Sequence, residues 1–342
     1  MRYKNTNRQL SRYTKDNPVI LTFLCPNAKR ASGGTKVIYR FVSLINQHSP
    51  SNVIAQIFHA AQPSFRCDWH YEGLKFKDNY TFNSANEIYF LHEMWAAREA
   101  PIMVNKFIAY GILVQGGYLI NRKANYEQVE YAYAHALWII CVSQDIEDCL
   151  RFLFPHLAHK IVRLHISVDA TLFQPANNKE NVISYMPRRL KKHAELVLFF
   201  LAGHLPSHWR IEAIDGLAPE QVASKLGRSK IFMSFSELEG LGLPPIEAAL
   251  AGNKVIGYTG QGGKEFWHAP IFEEVNNGDI RGFAESVLRA VSLWDNGDYQ
   301  EDTFAEARNI LTQQYAQAQE LADLARLTQF VATHFKNTNH HD

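Results

Sequence analysis

One stretch limits what this chain can become. Lys230 to Met233 (K-I-F-M) is an apolar run of strand length, and Ser234 to Glu265 then reads as strand end, glycine loop, helix, strand and second glycine loop. Gly240 and Gly242 can take positive φ and let a ligand approach the backbone. Pro244 and Pro245 suit a first helical turn, where a missing N–H costs nothing. Glu247 is expected in that same turn, Ile246 to Ala251 continue the helix, Gly252 stops it, and Lys254 to Gly257 is the next buried strand. A helix that begins at a glycine loop presents unpaired N–H groups and a positive dipole end to an anion such as a diphosphate.

The rest of the chain repeats this alternation. Val19–Cys25, Asn52–His59, Glu87–His92, Lys106–Gln115 and Trp138–Ser143 read as strands. Helical patterns follow Gly33–Gly34 and cover Tyr126–His135 and Asp145–Phe154. In the second half, Val182–Met186 and Trp209–Ile214 are strands, Pro219–Leu226 is a helix, and Asp279 is placed to cap a helix over Ile280–Trp294. Phe304–Phe335 is mostly helix-forming. The segments Met1–Asn17 and Lys336–Asp342 are polar and read as loose, and Gln62–Ser84 shows no order. Strand–helix alternation in both halves predicts two parallel-sheet α/β domains, with 1–170 as the first and 171–342 as the second, sizes ordinary for a chain of 342 residues.

The segment E-G-L-G-L-P-P-I-E-A-A-L-A-G-N-K-V-I-G resembles the donor-binding signature of retaining glycosyltransferases with the GT-B fold, family 4 in particular. Glu239 and Glu247, separated by seven residues, and Gly262, Gly263 and Glu265 stand at the matching places. The resemblance implies two Rossmann-like domains facing a cleft, with a last helix that crosses back onto the first domain. It implies that Glu247 holds the ribose diol of a sugar nucleotide and Glu239 faces the donor sugar. The N–H groups of Gly240, Leu241, Gly242 and Leu243 would hold the diphosphate. Gly33 and Gly34 resemble the glycine pair that lies near donor and acceptor in such enzymes. Val162–Phe173 resembles the crossover into the second domain.

The family carries Gly-Arg-Leu, with a lysine shortly after, at the start of its second domain; this chain has P-R-R-L-K-K-H and no glycine before Arg188. Arg188 and Lys192 are the expected diphosphate clamp, with Arg189 and Lys191 as rivals. Cations at a helix start oppose its dipole, which favours an anionic partner there. They would neutralise the departing diphosphate as the glycosidic bond breaks. His92 and Glu93, at a strand end, are placed to meet an acceptor hydroxyl, and Gln115 and Tyr118 to line the same region. Asp215–Gly216 falls where the base would lie.

The formal net charge is +1, which argues against a general nucleic-acid binder. The segment Met1–Arg40 is basic, with Asp16 its lone acid, and is compatible with peripheral contact at an anionic membrane face. Cys25, Cys67, Cys141 and Cys149 form no C-x-x-C pair, so neither a zinc site nor a redox pair is expected, and a reducing cytoplasm fits. No D-x-D motif stands near the site, so no metal and no cofactor are expected beyond the sugar nucleotide itself. The expectation is a retaining transfer of a sugar from a nucleoside-diphosphate sugar to a hydroxyl of a glycan or lipid-linked acceptor. A GT-B epimerase and an inactive GT-B scaffold remain open, whereas a nicotinamide enzyme lacks its G-x-G-x-x-G after the first strand. Sugar, base, acceptor and oligomeric state are not encoded in these patterns.

Overall fold

The structure, a computed structural model, describes residues 18–27, 33–49, 52–67, 69–79, 81–82, 85–299 and 301–338. The polar segment 1–17, most of the loop before Gly33 and the tail 339–342 lie outside the described residues. The chain divides into two compact units, Met1–Ile166 with Ala318–Asp342, and Ser167–Gln317. The sequence reading had set the boundary after residue 170.

The first unit contains β1 (Val19–Leu24), α1 (Gly33–His48), β2 (Val53–Phe58), β3 (Glu87–His92), α2 (Glu93–Asn105), β4 (Tyr110–Val114), α3 (Tyr126–His135), β5 (Ile139–Cys141), α4 (Gln144–Leu153) and β6 (Ile161–Arg163). Its six strands are all parallel, in the order β2-β1-β3-β4-β5-β6. Such strands are covered on both faces, so they read as continuous apolar runs. Val19, Leu21, Phe23, Ile88, Leu91, Ile112 and Ile139 are fully buried, each worth about 1.5–3 kcal/mol of transfer free energy. Helix starts follow local chemistry. Asn125 and Gln128 form a capping box on α3, and Ser143 caps α4 through the Ile146 N–H.

The second unit contains β7 (Glu180–Tyr185), α5 (Lys191–Leu201), β8 (Arg210–Ala213), α6 (Pro219–Arg228), β9 (Ser229–Glu239), α7 (Leu243–Leu250), β10 (Lys254–Gln261), β11 (Phe272–Glu274), α8 (Ile280–Asp295) and α9 (Glu301–Gln314). Its five parallel strands run β11-β10-β9-β7-β8. Ile183, Ile231, Met233, Ile256 and Phe283 are fully buried between the sheet and its helices. Asp279 caps α8 by accepting from the Gly282 N–H, as expected.

The last helix, α10 (Gln317–Thr338), belongs from Ala318 onward to the first unit. Arg40 Nε of α1 pairs with Glu320 Oε2 at 2.9 Å. The backbone N–H and Nδ1 of His165 meet Asp323 Oδ2 at 2.8 and 2.6 Å. The mostly helix-forming stretch Phe304–Phe335 holds parts of two helices, α9 and α10, separated at Tyr315–Ala316, where the Tyr315 carbonyl accepts from the Val168 N–H. Helix α2 was not foreseen, because Pro101 sits inside it and removes one intrahelical hydrogen bond. The three-residue β11 was also not foreseen. No helix of the described residues is long and apolar enough to cross a membrane.

Candidate functional site

An open parallel sheet offers ligands one kind of place: the carboxyl ends of two neighbouring strands whose connections leave in opposite directions. In the second unit the chain goes from β7 outward to β8, then returns to β9 on the other side of β7. The switch point lies between β7 and β9. Arg188 and Arg189 follow β7, and Glu239 ends β9. In the first unit the chain goes from β1 to β2 and returns to β3, so the corresponding point lies between β1 and β3. Gly33 and Gly34 open α1 there, and His92 and Glu93 end β3 and begin α2.

Strand β9 does not stop at Ser234, as the apolar run suggested, but continues to Glu239. Its last residues stay paired to β10, with Glu239 opposite Gln261 across a bulge. The bulge needs special backbone. Gly260 takes φ +66°, and Gln261, a non-glycine, takes φ +68°. The two glycine loops then touch: a Cβ added to Gly262 would sit 2.0 Å from the Gly240 carbonyl oxygen and 2.8 Å from that of Glu239. Only glycine allows the second loop to lie against the first.

Of the two glycines after Glu239, Gly242 takes positive φ, +87°, as the residue preceding α7. A Cβ there would meet nothing within 4 Å, so the backbone faces open space. Pro244 and Pro245 have no N–H, which leaves the orphan donors of this helix start at Gly242 and Leu243. Glu247 lies one residue beyond the first turn in which it was expected, because the helix begins at Leu243. It is buried, at 8% exposure. Gly252, at φ +79°, ends the segment as anticipated.

Arg189 Nε contacts Glu239 Oε1 at 2.9 Å. Burial pushes the Glu239 pKa up, and the Arg189 and Arg188 guanidiniums pull against that rise without cancelling it. Arg188 is exposed and acts on Glu239 through its charge. Lys192 is exposed in the first turn of α5 and is not among the charges that act on Glu239. Lys191 pairs instead with Glu195, 3.6 Å away on its own helix. The structure thus brings Arg188 and Arg189 to Glu239 and leaves both lysines outside. Leu190, between the arginines and α5, adopts a left-handed conformation, φ +43°. Glu265 accepts a hydrogen bond from Tyr315 Oη at 3.0 Å, which ties the second glycine loop to the end of this unit.

In the first unit Gly34 touches Gln115: an added Cβ would lie 2.9 Å from Gln115 Oε1. Gln115 Nε2 is buried without a hydrogen-bond partner among the described residues. His92 Nδ1 and Glu93 Oε2 are 2.8 Å apart, with both side chains buried. Tyr118 is half exposed and donates to Asp145. The four cysteines are free, and Cys25, Cys67 and Cys141 are buried. Gly216 takes φ +66° after β8 and adjoins open space. A separate cavity of about 260 Å³, lined by Lys254, Trp294, Tyr299 and Phe304 among others, lies where β10 begins. That is the amino edge of the sheet, opposite the Glu239 loop, and not where parallel sheets place their main ligand.

The resemblance to the family's Gly-Arg-Leu pattern points to Arg188 and Lys192, with Arg189 and Lys191 as rivals. The adjacent arginines are indistinguishable in a string; the left-handed residue after them decides the local turn, and nothing in a leucine announces positive φ.

No family model matches the chain. An alpha-1,6-glucosyltransferase of Actinobacillus pleuropneumoniae serotype 7 (strain AP76) is 33% identical over 134 residues, 36% of this chain and 40% of that relative. The match therefore spans less than half of either protein. Among solved structures, sucrose-phosphate synthase from Thermosynechococcus elongatus superposes with a TM-score of 0.69 at 12% identity, covering 94% of this chain and all of the other. Anabaena Alr3699/HepE in complex with UDP-glucose gives 0.63 at 11% identity over 92% of this chain and 99% of the other. The chain has the fold of these GT-B glycosyltransferases: two parallel-sheet α/β domains and a C-terminal helix.

Proposed function

We propose that the protein is a retaining glycosyltransferase that moves a sugar from a nucleoside-diphosphate sugar to a hydroxyl of a glycan or lipid-linked acceptor, without a metal. One observation carries this reading. A carboxylate, two guanidiniums and two mutually touching glycine loops meet at the β7–β9 switch point.

Glycosyl transfer from an activated donor needs charge stabilisation on the leaving diphosphate more than it needs a strong base. Arg188 and the N–H groups of Gly240 to Leu243 supply it, with Lys192 as a more distant cation. Glu247 fixes the ribose, and Glu239 orients a hydroxyl of the donor sugar. Gly33 and Gly34, with His92 and Glu93, serve the acceptor side in the first unit. The complex of Alr3699/HepE with UDP-glucose and the name of the Actinobacillus relative favour a glucosyl donor. Free cysteines fit a reducing, cytoplasmic setting. The basic segment Met1–Arg40, whose residues 1–17 lie outside the described residues, would give any contact with a membrane face.

Calorimetry with UDP, GDP and ADP tests the core of the reading. The wild type is expected to bind one of them. Glu247→Ala should weaken that binding roughly tenfold, as expected for a lost hydrogen bond to a charged group. Glu239→Ala should chiefly lower kcat with UDP-glucose or the matching sugar nucleotide. NMR of the product anomer tests retention, and turnover unchanged by EDTA tests metal independence. Equal nucleotide affinity in wild type and Glu247→Ala would remove the ribose role.

A further inference from the structure

The two arginines after β7 are alternatives for one task in the sequence, but their surroundings differ. Arg189 makes the 2.9 Å contact to Glu239 Oε1, while Arg188 makes none and lies exposed beside it. The turn that separates them from α5 is fixed. Leu190 holds its left-handed backbone while its side chain packs against the core cluster around Ile183 and Met233. Glu239 is fixed from the other side by its pairing with Gln261 and by Gly260, where even a Cβ would crowd Ser236 at 2.7 Å.

We propose that Arg189 is a positioning residue that holds the Glu239 carboxylate in place for the donor sugar, leaving Arg188 to meet the diphosphate. This rests on the glycosyltransferase reading above and divides labour within it. Arg189 is committed to a carboxylate, so it is the weaker candidate for a phosphate oxygen. Arg188, carrying the same charge with no ion pair among the described residues, is the stronger one. The other charged groups near Glu239 do not compete. Glu237 on the same strand is exposed, Lys264 on the second glycine loop is exposed, Glu265 is bonded to Tyr315, and Lys192 on α5 does not act on the carboxylate.

The sign of the pH effect follows. Arg189 opposes the upward push of burial on Glu239. Removing the guanidinium lets the carboxyl protonate at higher pH, so the acid limb of kcat/KM moves to higher pH if ionised Glu239 is the working form.

The experiment compares wild type, Arg189→Gln, Arg189→Lys and Arg188→Gln. For each it reads the Kd of the best-bound nucleoside diphosphate, kcat and KM with its sugar nucleotide, and the pH profile. Arg189→Gln is expected to leave the nucleoside diphosphate Kd within about twofold, to lower kcat about tenfold or more, and to move the acid limb upward. Arg189→Lys should restore the acid limb with only part of kcat, since a point charge cannot reproduce the guanidinium geometry. Arg188→Gln should weaken nucleoside diphosphate about tenfold. Equal loss of nucleotide affinity in Arg189→Gln and Arg188→Gln, or an acid limb unmoved in Arg189→Gln, overturns the division. If the wild type binds none of UDP, GDP and ADP, the glycosyltransferase reading itself falls; if it binds one and the arginine pattern is absent, only this inference falls. Unchanged unfolding midpoints for all variants, expected because Arg189 is 61% exposed, exclude a folding artefact.

Discussion

The two units solve the same topological problem with opposite chemistry. Each has a parallel sheet whose chain reverses direction beside its first strand in chain order, β1 or β7, and each places a glycine-bearing helix start at that reversal. In the first unit the acid at the reversal, Glu93, is buried against His92, and the neighbouring amide of Gln115 is unsatisfied. In the second the acid, Glu239, is held by an exposed arginine beside a second one. The first arrangement suits neutral groups that both donate and accept hydrogen bonds; the second suits an anion. An identical fold thus leaves the chemistry to the few residues that follow each strand.

Backbone strain separates the units as well. Leu190 and Gln261, two of the non-glycine residues with positive φ among those described, flank Glu239, whereas Phe107 and Lys123 lie away from the reversal in the first unit. The largest expected effect tests the tightest contact. Gly262→Ala forces a Cβ against two backbone oxygens, which cannot swing aside. It should cost about 3 kcal/mol in urea unfolding and abolish measurable nucleotide binding. Its counterpart Gly34→Ala meets the tip of a side chain, Gln115 Oε1, and should cost about 1 kcal/mol. Similar costs for both would erase the distinction between an interlocked loop and an adaptable one.

A second contrast concerns what buried acids do for stability. Burial pushes Asp323 in the first unit upward, but hydrogen bonds from the His165 side chain and backbone and from Arg326 outweigh that and bring its pKa to about 2. A depressed carboxylate stabilises the fold above its unfolded pKa of about 3.9, and the gain is lost as pH falls towards about 2. Asp323→Asn should therefore lose about 2 kcal/mol near neutral pH, with a flatter acid limb in unfolding measured against pH. Glu239 has the opposite sign, since its pKa is raised. Its ionisation weakens the fold as pH rises through the folded value, and below the unfolded value there is no such cost. Glu239→Gln is expected to leave the midpoint at neutral pH unchanged or slightly higher while turnover falls, a trade typical of a functional acid. A lower midpoint would mean that the Arg189 contact is structural.

Much of this was legible in the string because buried parallel strands announce themselves as apolar runs. Val19–Leu24, Glu87–His92 and Glu180–Tyr185 fall within two residues of where those runs placed them. The end of β9 was not legible. Phe235 to Glu239 mixes three polar residues with two apolar ones, so the apolar run stops at Met233, although pairing with β10 continues. Helix α2 was hidden by Pro101, and α7 begins at Leu243, one residue before the prolines, which leaves Glu247 just beyond the first turn. At the site, the two glutamates and both glycine loops were visible as residue types. Which arginine meets Glu239 was not, since it depends on one backbone angle at Leu190.

The smallest expected stability effect gives the sharpest test of the anion site. Gly242 and Gly297 have φ of +87° and +73°, and a Cβ at either meets nothing within 4 Å. Alanine at each should cost the same, about 1 kcal/mol of left-handed strain, with no clash to add. Their positions differ: Gly297 follows the end of α8, while Gly242 precedes the start of α7 beside Glu239. If the open space beyond Gly242 is where a diphosphate approaches the backbone, the new methyl occupies that space only in Gly242→Ala. Matched unfolding midpoints, with nucleotide affinity reduced about tenfold in Gly242→Ala and unchanged in Gly297→Ala, would separate ligand approach from backbone strain. Matched affinities would mean that the space beyond Gly242 is empty for a conformational reason alone, and the anion would have to be sought on the arginine side of the reversal.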